Sequence, residues 1–138
     1  MMKLTTYISS VPFLWKGIVL AAASTGLLIS LYAHAQTSTI PLCEITRGLG
    51  VGTSGEDVRC LQRYLNWAGF AVATSGTGSV GNETQYFGPM TQDAVIRWQN
   101  ANAVQVLTPL GLSTGTGFWG LVSFGRYVEI VRAALGVH

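Results

Sequence analysis

Two cysteines, a few amides and a few aromatics are the residues of this chain with chemistry to offer. Cys43 and Cys60 are its only cysteines. In an exported chain, a pair with none left over reads as one disulfide; two free thiols are the alternative. Tetrahedral zinc takes four nitrogen or sulfur ligands, and the histidines number two, His34 and His138. No metal site and no cofactor are therefore expected. Catalysis lacks its parts as well. A nucleophilic triad needs a base, usually His, and His138 at the last position is a poor candidate. Glycosidic cleavage needs two carboxylates flanking a cleft. Glu56 and Asp57 read instead as first-turn helix acids, and Glu83 and Asp93 have no obvious partner. The expectation is a non-enzyme with no catalytic residue.

Exposed aromatic faces with amides and hydroxyls beside them can hold a ligand by stacking and hydrogen bonding. Asn82, Gln85 and Tyr86 lie together at the end of one Gly/Ser/Thr-rich stretch, and Phe118 and Trp119 lie at the end of another. Tyr86, Trp119, Gln85 and Asn82 are the candidate ligand-binding residues; Phe87 and Phe118 are expected to cap the core. An internal echo supports the grouping, because Tyr86-Phe87-Gly88-Pro89-Met90-Thr91 parallels Phe118-Trp119-Gly120-Leu121-Val122-Ser123. If the echo is structural, the two turns line one groove. Leu61-Gln62 and Trp98-Gln99 admit a ligand reading, but the favoured one is structural, with each amide satisfying loop carbonyls at the core edge. Thr91 reads likewise as a helix-opening hydroxyl first. Asn82-Glu83-Thr84 fits a glycosylation sequon, a short and common pattern.

These residues need elements to hold them. Residues 1–35 read as a cleavable signal peptide: Lys3 and Lys16, an apolar run from Gly17 to Tyr32, then Ala33-His34-Ala35 as the cut. An uncleaved membrane anchor is the alternative. Past Ala35 there are six Arg, six acids and no Lys, so the mature chain is neutral. The basic patch of a nucleic-acid binder is absent. Residues 36–48 read as a tether and 49–135 as the domain. A helix is expected from Ser54, its hydroxyl a cap and its acids in the first turn, with Val58, Leu61, Leu65 and Ala68 on one face and Gly69 ending it. Cys60 and Trp67 share the far side, where Cys43 would bring Ile40 and Leu42 over Trp67. Trp67 reads as a lid over this tether rather than a ligand platform. A second helix starts at Pro89, with Ala94, Val95, Trp98 and Ala101 inward. A third runs from Leu121 to Leu135 with Leu121, Phe124, Tyr127, Val128, Val131 and Leu135 as its stripe. The fold class expected is all-α, a compact three-helix bundle with long Gly/Ser/Thr-rich loops.

Gly52-Thr53-Ser54-Gly55-Glu56-Asp57-Val58-Arg59-Cys60-Leu61-Gln62-Arg63-Tyr64-Leu65 resembles the opening of the peptidoglycan-binding domain family, G-x-x-G-x-x-V-x-x-L-Q-x-x-L. Phe87-Gly88-Pro89-Met90-Thr91-Gln92-Asp93-Ala94-Val95-Ile96-Arg97-Trp98-Gln99 resembles its F-G-x-x-T-x-x-A-V-x-x-F-Q. The Gly117-Phe118-Trp119-Gly120 step matches the third signature less well, and the loops are longer than in short members. The resemblance implies a three-helix module of an exported bacterial protein, secreted, periplasmic or at the cell surface. It would bind peptidoglycan glycan or stem peptide without catalysis, beside cell-wall hydrolases or copies of itself. A surface protein–protein interaction or self-assembly module on the same fold is the alternative.

Overall fold

The computed structural model of the protein describes residues 39–137. The expected signal peptide, its cut after Ala35 and the first residues of the tether lie outside them. Three long helices and one short one follow: α1 Glu56–Trp67, α2 Pro89–Ala101, α3 Ala103–Val106 and α4 Leu121–Leu135, with a 3-10 turn at Thr108–Leu110. The helical class stands, and the expected count of three becomes four among the described residues. None of these helices is long and apolar enough to cross a membrane.

The ends of the helices follow local chemistry. α1 is preceded by Gly55, with no side-chain cap. Ser54 does not cap it, as the sequence suggested, because Ser54 pairs in an isolated antiparallel bridge with Tyr86. The first-turn acids Glu56 and Asp57 are in place, and a negative charge there favours the helix dipole. Gly69, at φ 86°, ends the helix, and the N–H of Phe70 bonds back to Leu65 O at 2.8 Å in the manner of a left-handed C-terminal cap. Pro89 opens α2 as expected. Asn102 ends it, its Nδ2 donating to Trp98 O at 2.9 Å. Its own carbonyl accepts from Val106 N at 2.9 Å, so one residue closes α2 and opens α3.

The core is built round aromatic rings rather than helix–helix ridges. Tyr64, Trp98, Trp119 and Tyr127 are all buried. The Trp98 and Trp119 centroids lie 4.6 Å apart and those of Tyr64 and Tyr127 4.7 Å apart, and Trp98 Nε1 donates to Tyr64 OH at 3.1 Å. Val58, Leu61 and Leu65 of α1, Ala94 and Val95 of α2, and Val106 and Leu107 complete it. Three expected core positions are not there. Ala101 is exposed at the end of α2, and the α4 stripe is covered only in its middle, with Leu121 90% and Leu135 54% exposed.

The tether is fastened at three points. Cys43 and Cys60 form the disulfide, Cα to Cα 5.5 Å. Tyr127 OH donates to Pro41 O at 2.9 Å and accepts from Cys43 N at 2.6 Å. Ile45 is buried in the core. Leu42 does not cover Trp67, being 66% exposed. Trp67 instead stacks on Tyr64, with centroids 6.1 Å apart and planes 26° apart, while Ile40 packs half-buried against the same core.

Candidate functional site

The sequence echo is a structural repeat. In each copy, a buried glutamine of one helix clamps the turn that opens a later one: Gln62 of α1 holds the start of α2, and Gln99 of α2 holds the start of α4. Gln62 Nε2 donates to Tyr86 O at 2.9 Å and Thr91 Oγ1 at 2.9 Å, and its Oε1 accepts from Thr84 N at 2.7 Å. Gln99 Nε2 donates to Phe118 O at 2.8 Å and Ser123 Oγ at 3.1 Å, and its Oε1 accepts from Gly117 N at 3.0 Å. The glutamines are 1% and 2% exposed. The structural reading of both pairs is therefore the right one: these amides are consumed by the fold. Thr91, also buried, is part of the same clamp.

Residues 49–54 run between the two clamped turns. Leu49 exchanges both backbone hydrogen bonds with Trp119, at 2.8 and 3.1 Å. Further along, Phe87 N donates to Thr53 O at 2.9 Å and Gly52 N to Phe87 O at 3.0 Å. Side chains alternate along an extended segment, so the second aromatic of each pair, Phe87 or Trp119, enters the core and the first faces out. Tyr86 is 52% and Phe118 54% exposed, while Phe87 and Trp119 are 0% and 1%. The expectation for the second pair is thus reversed. Trp119 belongs to the core and offers no face to a ligand, and Phe118 is the outward ring.

Both outward rings lie against glycine. A Cβ on Gly88 would stand 3.2 Å from Tyr86, and Cβ atoms on Gly50 and Gly120 would each stand 3.2 Å from Phe118; one on Gly48 would run into that ring. Glycine lets each ring lie close against the backbone on one side while about half its area stays in solvent. Phe118 also lines two cavities. One, of about 450 Å³, adds Thr46, Arg47, Leu121 and Phe124. The other, of about 610 Å³, adds Leu107, Leu110, Leu112 and Val122. Both volumes are in the range of small-ligand sites.

The remaining candidates separate. Gln85 is next to Tyr86 and exposed, and its Nε2 donates to Glu56 Oε1 at the start of α1. Asn82 is elsewhere. It closes a tight loop, its N–H donating to Ser79 O at 2.8 Å and its carbonyl accepting from Gly78 N at 2.8 Å. Asn66, near the far end of α1, anchors that loop through Gly78 O at 3.0 Å and Glu83 Oε1 at 2.8 Å. The bonds of Asn82 stay within its own loop, and none among the described residues joins it to Tyr86 or Gln85. Beside the site, Arg47 Nε donates to Asp57 Oδ2 at 2.7 Å. That bond holds the Asp57 carboxyl below its ordinary range, with burial opposing. Gly55 leaves room for the pair, since a Cβ there would stand 2.9 Å from Arg47 Nη2.

The class so defined is a small all-helical module whose buried amides are spent on its own turns and whose open chemistry is two glycine-backed rings. Residues 54–106 match the family model of the peptidoglycan binding domain. The matched segment holds α1, the first clamp, α2 and α3; Phe118 and α4 lie beyond it. No curated protein and no solved structure matches the chain.

Proposed function

We propose that the chain is a non-catalytic peptidoglycan-binding module of an exported bacterial protein, with the domain over residues 49–135, the tether before it and the leader over residues 1–35 removed on export. The observation that supports a ligand surface is the pair of rings, Tyr86 and Phe118, each resting on glycine and half open to solvent. The C–H faces of a glycan ring pack against such aromatic faces, and Gln85, Thr46 and Arg47 lie where they can meet hydroxyl, acetamido or carboxylate groups. The match of residues 54–106 to the peptidoglycan binding domain family supports a cell-wall ligand, and the two rings are the residues proposed to meet it.

The test is retention of oxidised residues 36–138 on insoluble peptidoglycan sacculi, beside a Tyr86→Ala/Phe118→Ala variant. The expected result is retention of the parent chain and at least a tenfold weaker interaction of the variant, with an unchanged helical circular dichroism spectrum. Retention that ignores the double change removes the rings from the site. A folded parent chain that sacculi do not retain removes the function.

A further inference from the structure

α4 carries more apolar surface than the domain covers. Phe124, Val128 and Val131 are half-buried along its stripe, with Leu121 and Leu135 exposed at its two ends. Between α4 and the tether lies a groove of about 640 Å³, to which Leu42 and Ile45 contribute from the other wall. An apolar helix face that its own domain leaves open is the kind of surface by which proteins associate.

The charges on this groove say what fits it. Its lining includes one acid, Glu44, and one base, Arg132. Neither side chain has a hydrogen-bond or ion-pair partner among the described residues, whereas the side chains of Arg47, Arg59 and Arg126 are paired. A lipid surface would select a basic rim, and an acidic or basic peptide would select a rim of one sign. One unpaired charge of each sign beside an apolar stripe is self-complementary under a two-fold axis, because a contact from i to j repeats as j to i. We propose that this face is a homodimer interface: α4 packs against α4 of a second copy, and Glu44 of each copy pairs with Arg132 of the other. The two ion pairs set the register, and Phe124, Val128 and Val131 supply the buried area.

Sedimentation equilibrium of the oxidised chain, with and without charge reversal, tests this. A concentration-dependent dimer is expected. Glu44→Arg and Arg132→Glu each set like charges face to face and should weaken it about tenfold, on the order of 1.4 kcal/mol. The double reversal should recover the parent affinity. Val128→Asp should abolish the dimer and leave the circular dichroism spectrum unchanged. A monomer at every concentration up to about 1 mM, where ΔG° for association is only about −4 kcal/mol, overturns the proposal. So does a dimer that tolerates Val128→Asp, or a double reversal no better than the single ones. Were the segment before residue 39 the true occupant, deleting it would create a dimer where the longer chain is monomeric, which also overturns it.

Discussion

Gln62 and Gln99 each join three backbone or hydroxyl groups at a turn. Leucine has similar bulk and no polar atoms, so Gln62→Leu would take the amide away from buried Thr91 Oγ1, and Gln99→Leu would take it away from Gly117 N and buried Ser123 Oγ. An unsatisfied buried group costs about 1–3 kcal/mol. Each substitution should therefore lower unfolding free energy by about 2–3 kcal/mol in urea, and the two losses should be similar because the geometry is similar. A loss under about 0.5 kcal/mol for either would mean that water reaches the turn and replaces the amide. The structural role of these glutamines was legible in the sequence, since a buried amide beside a core residue has to be paired. The outward ring of the second turn was legible too, but in a different feature. The echo aligns Phe118 with Tyr86 and Trp119 with Phe87; following that register puts Phe118 outside. Trp119 Nε1 is buried with no partner among the described residues, so the indole is there for its bulk. Trp119→Ala should cost about 3–5 kcal/mol.

At the scale of the elements, the tether shows how a short segment without secondary structure becomes part of a fold. It leads into the disulfide, whose two cysteines are 17 residues apart. Closing a loop of that length restricts the unfolded chain by about 3 kcal/mol. Reduction, or Cys43→Ser/Cys60→Ser, should lower stability by about that amount in chemical denaturation. Helix content should survive, because Tyr127 and Ile45 still hold the segment. Loss of α4 on reduction would show instead that the bridge, and not Tyr127, docks the tether on the domain. The disulfide was legible from cysteine count alone, α2 from periodicity with Pro89 at its start, and α4 from periodicity. α3 was not, because four residues are too few to show a period. Val106 and Leu107 reach the core from inside a Gly/Thr-rich stretch that reads as plain loop. The α4 stripe misled differently: periodicity reports which face is apolar, not whether this chain is what covers it.

For the molecule as a whole, titration predicts a plateau of stability with two falling limbs. On the acid side, Asp57 is held below its ordinary range by the hydrogen bond from Arg47. Its contribution is therefore present above the unfolded carboxylate range, near pH 4, and is lost as pH falls through the lower folded value. On the alkaline side, burial raises the Tyr64 and Tyr127 hydroxyls. The unfolded chain releases those protons near pH 10 while the folded one keeps them, so stability falls as pH rises from there. The neutral range has no such switch among the described residues, because His34 and His138 both lie outside them. The melting temperature of the oxidised chain should thus be nearly flat from about pH 5 to 9 and fall on both sides. Asp57→Asn should lower the plateau slightly and flatten the acid limb, slightly because Arg47 is half exposed and surface pairs contribute little. Tyr127→Phe should lower the plateau more, since Pro41 O and Cys43 N lose their partner, and should flatten the alkaline limb. A drop between pH 6 and 8 in the parent chain would place control of stability in a histidine outside the domain.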